Sequence, residues 1–301
     1  MKTLGIDLGN HNVKTSTRCI FRSVYEEYDY KNELLNDDVV IYDGKNYVVG
    51  KGTFDNTKVK SEKVNTIPLF LNAIYKSVGV CNEPLRIVVG LPLEHHKNKE
   101  LIADIKKMYS GWFRFKYKSG KTIRDLEYYV KELYVFPEAL GAFYSLKENM
   151  DGRDVLLIDI GGGTVNVALF QDGEFEDSIT IQEGTNDIYR QITAKANFVN
   201  TGASFNVEDI IRYMKRGKIK WNGVIDEMTY VSEISSKFAA NVINEIKGNF
   251  PLYKSYDIVL SGGGVDLLKP YLAKDITFSV VKDNLFANAI GFYNVGVGAN
   301  G

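Results

Sequence analysis

The sequence is poor in the residues that mark several whole classes of protein. It has two cysteines, Cys19 and Cys81, in 301 residues. They show neither a disulfide framework nor zinc-site spacing, so buried free thiols in a reducing compartment are expected. No run reaches the roughly 20 apolar residues an α-helix needs to cross a bilayer. A strand pattern begins directly after Met1, without the regions of a secretory leader, and a cytoplasmic protein is expected. The formal net charge is −1, which gives no electrostatic argument for direct nucleic-acid binding or for an anionic membrane surface. His95 and His96 are adjacent, but no other His or Cys lies at ligand spacing, so an exposed helix start is expected there rather than a metal site.

What is present reads as a globular protein. Hydrophobic residues make up 45% and charged residues 25% of a 33.9 kDa chain, enough material for about two domains. The central stretch is Leu156 to Leu169, LLIDIGGGTVNVAL. Val155 to Ile158 has the bulk of a buried strand, and Val165, Val167 and Leu169 alternate like a half-buried one, so the stretch predicts a hairpin. Asp159 stands at the mouth of its turn, Gly161, Gly162, Gly163 and Thr164. A turn without side chains lets a ligand approach the backbone, and successive N–H groups there can cradle phosphate oxygens. An ordinary tight turn has the same composition.

The pattern occurs twice. A shift of 152 positions, from Asp7 to Asp159, lays Leu4, Ile6, Asp7, Leu8, Gly9 and Val13 on Leu156, Ile158, Asp159, Ile160, Gly161 and Val165, identical except for Leu8 and Ile160. Two related halves, each offering one carboxylate and a ring of backbone donors, are what a magnesium-bound polyphosphate held between two domains requires.

The rest alternates strands and helices. Lys2 to Asp7 predicts the first strand, with Val13 to Ser23 as its partner after the turn Gly9, Asn10, His11, Asn12. His11 is either a phosphate contact or a plain polar turn residue. Asp43-Gly44-Lys45 predicts a hairpin on the surface of the first domain, Asn65 to Val78 a helix, Leu85 to Val89 a strand and Glu94 to Tyr109 a helix. Trp112 to Tyr117 and Leu126 to Val135 predict a hairpin, with Arg114, Lys116, Lys118, Lys121 and Arg124 as a solvated edge that blocks further pairing. Pro137-Glu138 precedes a helix over Ala139 to Leu146, so Glu138 reads as a helix-opening acid or as a catalytic carboxylate. Downstream, Glu174 to Gln182 is a strand, and Glu183-Gly184 leads into a helix carrying Ile188, Ile192 and Ala196. Val207 to Met214 is a short helix, followed by Lys215, Arg216, Lys218 and Lys220 as a solvated loop, and Val231 to Ile246 is a longer helix. Ile258 to Leu260 is a buried strand ending in Ser261-Gly262-Gly263-Gly264, a third glycine-rich turn, before a helical Val265 to Leu272.

These residues resemble the actin, heat-shock chaperone and sugar-kinase ATPase superfamily, and within it the bacterial actin-like proteins of the ParM type that segregate plasmids. Asp7-Leu8-Gly9-Asn10 with Lys14 is similar to the first phosphate motif, Pro137-Glu138 to the first connecting motif and Asp159 to Thr164 to the second phosphate motif. Leu260 to Gly264 is similar to the adenosine motif, and Phe286 to Tyr293 to the closing helix with its second connection. The resemblance implies an α/β protein of two actin-like, ribonuclease H-like domains, 1–150 and 151–301, with the helix 284–294 crossing back to the first. Each would be a mixed five-stranded sheet flanked by helices, with the nucleotide cleft between them. It implies Mg-ATP, with GTP as the alternative nucleotide, Asp7 and Asp159 holding Mg2+ through water, and Gly9 to Asn12 with Lys14 and Gly161 to Thr164 around the phosphates. Glu138 would orient the attacking water; Glu183, Gly184, Gly262, Gly263 and Gly264 would face ribose and adenine. Asn166 stands where many relatives carry a second acid. Self-assembly into head-to-tail filaments and a DNA-binding adaptor on a plasmid centromere are the implied partners, with no membrane contact.

Two other readings stay open. A small-molecule kinase of the same superfamily would hold an acceptor hydroxyl beside the ATP, and the opening motif is also similar to type III pantothenate kinases, whose adenosine and C-terminal motifs do not fit. A non-hydrolysing actin-like scaffold is the third reading; membrane-anchored members often end in an amphipathic helix, unlike the glycine-rich Asn294 to Gly301.

Overall fold

The computed structural model describes residues 1–28, 37–52, 66–93, 95–146 and 152–298. The chain forms two compact units, one of Met1–Asn149 with Val281–Gly301 and one of Met150–Val280. Glu94 and Asn65, both included in expected helices, lie outside the described residues.

The first unit begins with strands β1 (Lys2–Leu8), β2 (Asn12–Thr15), β3 (Ile20–Arg22), β4 (Tyr25–Tyr28), β5 (Asp38–Tyr42) and β6 (Lys45–Val49). Helix α1 (Ile67–Val78), β7 (Leu85–Leu91), α2 (Lys99–Tyr109), β8 (Gly111–Ser119), β9 (Thr122–Pro137) and α3 (Leu140–Tyr144) follow. One mixed sheet runs β3-β2-β1-β7-β9-β8-β5-β6-β4. Strand β7 is buried along all its residues because it is the inner member of a parallel trio, with β1 on one side and β9 on the other. Helix α1 opens with Pro68 in its first turn and buries Leu69, Phe70, Leu71, Ala73 and Ile74. The Asn98 side chain caps α2, accepting from the N–H groups of Glu100 and Leu101, both at 3.1 Å.

Nine strands stand where the sequence suggested five. Strand β9 is long enough to pair with β7 through its C-terminal half and with β8 along its whole first part, and β8 then carries β5, β6 and β4. Two local expectations fail for the same reason. The hairpin around Asp43 is part of the sheet, with Val40 and Val48 in the core; its turn is reversed as expected, with Asp43 and Gly44 at φ 51 and 73. Arg114, Lys116 and Lys118 do not guard an edge, since β8 is interior; Arg114 and Lys116 pair across the strands with Glu127 and Asp125 on an exposed face.

Other boundaries also moved. The partner of β1 divides into β2 and β3 around Arg18 at φ 64. The helix expected over Ala139 to Leu146 shortens to α3, because Ala139 at φ 68 lies outside helical space. His95 and His96 form a half-buried turn before α2, with His96 Nε2 3.2 Å from the Val135 carbonyl. Cys81 is buried, whereas Cys19 is half-buried, its thiol pushed up by partial desolvation.

The second unit comprises β10 (Val155–Ile160), β11 (Val165–Gln171), β12 (Glu174–Ile181), α4 (Thr185–Val199), α5 (Val207–Arg216), β13 (Ile219–Trp221) and β14 (Val224–Asp226). It ends with α6 (Tyr230–Asn249), β15 (Asp257–Ser261), α7 (Val265–Leu272) and β16 (Ser279–Val280). Its sheet is five-stranded and mixed, β12-β11-β10-β15-β16. Strand β10 is wholly buried at its centre, and Ile188, Ile192 and Ala196 of α4 join Val242, Ile243 and Ile246 of α6 in one core. Of the basic run only Lys218 lies in a loop: Lys215 and Arg216 end α5, and Lys220 lies in the small hairpin β13–β14.

Helix α8 (Ala287–Gly298) packs within the first unit, and glycines let it come close. A Cβ on Gly5 would lie 2.1 Å from the Ala289 carbonyl oxygen, and one on Gly291 only 1.6 Å from that of Gly141. Gly90 and Gly141 flank the ring of Phe292, which is fully buried.

Candidate functional site

In the second unit three turns converge at the carboxyl ends of the parallel strands β10 and β15. Asp159 sits between Asn166 on β11 and Ser261 on β15 by strand register. All three are buried. The Ser261 hydroxyl donates to Asp159 Oδ1 at 2.7 Å, which fixes the carboxylate, and Asn166 Oδ1 accepts from Thr180 at 2.9 Å. The turn after β10 closes by Gly161 N–H donating to the Thr164 carbonyl at 2.9 Å, and a Cβ on Gly161 would lie 2.9 Å from that same oxygen.

The start of α4 locks onto this turn. Thr185 N–H donates to the Gly161 carbonyl at 3.1 Å and Asn186 N–H to that of Gly162 at 2.9 Å. Gly184 is buried, and its Cβ would lie 2.5 Å from the Gly162 oxygen. The third turn packs from the other side, with Gly264 N–H donating to the Ile160 carbonyl at 2.9 Å. A Cβ on Gly262 would meet Ile160 O at 2.4 Å and Asp159 Oδ1 at 2.6 Å; one on Gly264 would meet side chains of Ile160 and Thr185. Gly262 and Gly264 are therefore required by the chain's own packing, whereas Gly263 and Glu183 are exposed.

The first unit repeats the arrangement. Asp7 lies near the end of β1 opposite Lys14 on β2, and Lys14 Nζ is 3.2 Å from Asp7 Oδ2, both side chains largely buried. A Cβ on Gly9 would lie 2.7 Å from the Asn12 carbonyl oxygen, the counterpart of Gly161 and Thr164 at the same shift of 152 positions. That shift also lays Lys14 on Asn166, so a cation stands in one half where a neutral amide stands in the other. Asn10, His11 and Asn12 are half-buried in this turn.

Glu138 follows β9 directly, and its N–H donates to the Leu91 carbonyl at 2.8 Å. A Cβ on Gly90 would lie 3.1 Å from Glu138 Cγ. The β1–β7 register runs to Ile6 opposite Val89, the residues just before Asp7 and Gly90, so Asp7, Gly90 and Glu138 lie at the carboxyl ends of three parallel strands, the usual location of ligands in open α/β sheets. Glu138 is not a helix cap. The start of α3 is held by Asn288 of α8, whose Oδ1 accepts from the N–H groups of Ala139 at 3.1 Å and Ala142 at 3.0 Å.

Sequence reasoning singled out neither Ser261 as the partner of Asp159 nor Asn288 as the cap behind Glu138. Ser261 was visible only as a residue of the third turn; its role follows from the β10–β15 register. No sequence signal joins Asn288 to a helix 146 residues away.

Residues 5–141 match the family model for the N-terminal domain of actin-like proteins, and residues 157–274 match that for the C-terminal domain of the MreB-like archaeal actin homologue. Among solved structures, a 15-stranded ParM filament from Clostridium botulinum is 23% identical with a TM-score of 0.78, covering 99% of this chain and 100% of that one. A non-polymerisable quadruple mutant of pCBH ParM is 24% identical with a TM-score of 0.77, over 98% and 99% of the two chains. An archaeal actin homologue in complex with ADP is 20% identical with a TM-score of 0.80, over 99% of each chain. No curated protein matches the sequence. At these identities the structural likeness carries the fold.

Proposed function

The chain is an actin-like protein, with one actin-like domain match in each half, and from that premise we propose that it is an ATPase that assembles into filaments on binding Mg-ATP and moves plasmid DNA through a DNA-binding adaptor. The observation that carries the nucleotide reading is the duplicated turn. Asp7 with Gly9 to Asn12 and Asp159 with Gly161 to Thr164 each set a buried carboxylate beside a turn too tight for a Cβ at its first glycine. Backbone donors in such turns stabilise the charge that develops on transferring phosphoryl groups.

The two carboxylates are held by different side chains. Lys14 pairs with Asp7 and is placed to reach phosphate oxygens, and the Ser261 hydroxyl holds Asp159. Both carboxylates offer oxygens to the water shell of Mg2+, an ion that keeps several of its waters. Glu138, held at the strand edge by its own N–H and by the Asn288-capped helix behind it, orients the attacking water. Self-association is the reading supported by the ParM filament among the similar structures, and an adaptor as partner is what the sequence resemblance to plasmid-segregating actin-like proteins implies. No helix among the described residues is long and apolar enough to cross a membrane, and we place the protein in the cytoplasm.

The test is light scattering with simultaneous phosphate release after adding Mg-ATP, for the wild type and Glu138→Ala. Scattering that rises only with nucleotide, and a variant that assembles yet releases phosphate slowly, support the proposal. Flat scattering with ATP consumed only when a small hydroxylated acceptor is supplied replaces it with the kinase reading.

A further inference from the structure

Some surface charges of this chain pair locally. Arg114 pairs with Glu127, Lys45 with Glu27, Arg153 with Asp257, Arg190 with Asp187, and Arg212 with Asp209. Two blocks of like charge stand out in the second unit. Lys215, Arg216, Lys218 and Lys220, at the end of α5, in the connection after it and in β13, are all exposed, and so are Asp172, Glu174, Glu176 and Asp177, in the turn before β12 and along β12 itself. Among the described residues none of these eight groups takes part in an ion pair. Four unneutralised positive charges and four unneutralised negative charges thus stand on separate elements of one unit.

Each block also borders exposed apolar surface. Beside the basic block the tip of the β13–β14 hairpin exposes Val224 and Ile225, 69% and 51% accessible, and the end of α4 exposes Phe198, 78% accessible. The hairpin and the end of α4 are joined by the Trp221 Nε1 bond to the Thr201 carbonyl and by Asn200 Nδ2 to Asp226. Within the acidic block Phe175, 43% accessible, lies between Glu174 and Glu176 on β12, a strand paired on one side only, to β11. Charges on an edge strand deter pairing with another strand. That accounts for acids on β12, but not for an equal block of bases beside an exposed apolar hairpin.

We propose that these are the two halves of one heterologous contact: the basic α5–β13–β14 surface of one copy of this chain docks on the acidic β12 edge of the next copy. The proposal rests on the self-association reading above and names the surfaces that carry it. An apolar centre with a charged rim is the usual anatomy of such a contact, and opposite charge on the two faces fixes direction and partner. Because the two patches differ, the contact does not close on itself and repeats head to tail into an open polymer.

The experiment reverses the charges. One variant carries Lys215→Glu, Lys218→Glu and Lys220→Glu; another carries Glu174→Lys and Glu176→Lys. The critical concentration for sedimentation with Mg-ATP is measured for each alone, for the two mixed, and for a chain carrying all five substitutions, with binding of a fluorescent ATP analogue confirming that each is folded. Each variant alone is expected to need at least tenfold more protein to assemble than the wild type. The equimolar mixture and the five-fold variant are expected to recover assembly, because reversed surfaces then meet each other, and wild-type assembly is expected to weaken with added NaCl. Wild-type assembly that survives either reversal unchanged overturns the contact while leaving filament formation intact. Nucleotide-competent variants that fail singly and stay monomeric when mixed show that the two surfaces do not meet each other, and also overturn it. A wild type that stays monomeric at every concentration overturns the self-association reading and this contact with it.

Discussion

Ser261 Oγ donates a 2.7 Å hydrogen bond to Oδ1 of Asp159 across the parallel β10–β15 pair, and both residues are buried. A hydroxyl holding a carboxylate in a dry site sets the direction of its oxygens, and its loss leaves a buried charge short of a donor. Ser261→Ala is therefore expected to lower stability by about 1–3 kcal/mol and to slow phosphate release about tenfold. Urea unfolding together with a phosphate-release assay separates the two effects. A variant with wild-type stability and wild-type turnover contradicts this role.

Glu138→Gln keeps the shape of the side chain at the edge of β9 and removes its charge. If Glu138 orients the attacking water, phosphate release is expected to fall about 100-fold or more, with nucleotide affinity within about twofold of wild type. Equilibrium binding of a fluorescent ATP analogue and single-turnover hydrolysis report the two quantities separately.

The glycines of α8 predict opposite outcomes for one chemical change. At Gly291 an added methyl would lie 1.6 Å from the Gly141 carbonyl oxygen, whereas at Gly298 nothing lies within 4 Å. Gly291→Ala is expected to cost about 3 kcal/mol or more through overpacking. Gly298→Ala is expected to be neutral or to stabilise by up to about 1 kcal/mol through helix propensity. Thermal denaturation of both variants decides it.

Asn288→Ala would strip the start of α3 of its acceptor and leave the N–H groups of Ala139 and Ala142 buried without it. A loss of about 2–4 kcal/mol is expected from two such groups. Hydrogen exchange localises the effect: protection should drop first at Ala142 and its neighbours in α3, rather than in the second unit.

Alkaline pH is expected to weaken the first unit. Burial pushes the Tyr109 phenol up to about 12 from the ordinary 10.0, against a smaller downward effect of its hydrogen bond with Thr66, and burial raises Tyr117 and Tyr128 in the same direction. A folded-state value above the unfolded one means that the native state favours the neutral phenol. The stability these groups contribute is complete below pH 10 and is lost as pH rises from about 10 through 12. Urea midpoints across that range should fall, and Tyr109→Phe should flatten the slope.

Much of the architecture was legible in the residue pattern because it depends on local chemistry. Apolar runs of strand length gave β1, β7, β10 and β15, reversed turns at Asp43-Gly44 and Asp172-Gly173 followed from residues that tolerate positive φ, and the repeat at a shift of 152 positions exposed the duplicated turn. Periodicity along α4 identified the face carrying Ile188, Ile192 and Ala196, which the core of the second unit buries. These features need only a residue and its near neighbours.

Sheet width and the supports of the site lay beyond such reasoning. Whether the basic residues of β8 guard an edge or cover the outer face of an interior strand depends on what pairs beyond it, and β5 lies some 70 residues earlier in the chain. The same holds for Ser261 beside Asp159, for Asn288 capping α3, and for the glycines of α8, whose missing side chains matter only because another backbone approaches them. The sequence by itself determined the strands, the turns and the acids at their ends. Tertiary structure decided which of those acids are held, and by what, because register and close packing are relations between segments that no local pattern encodes.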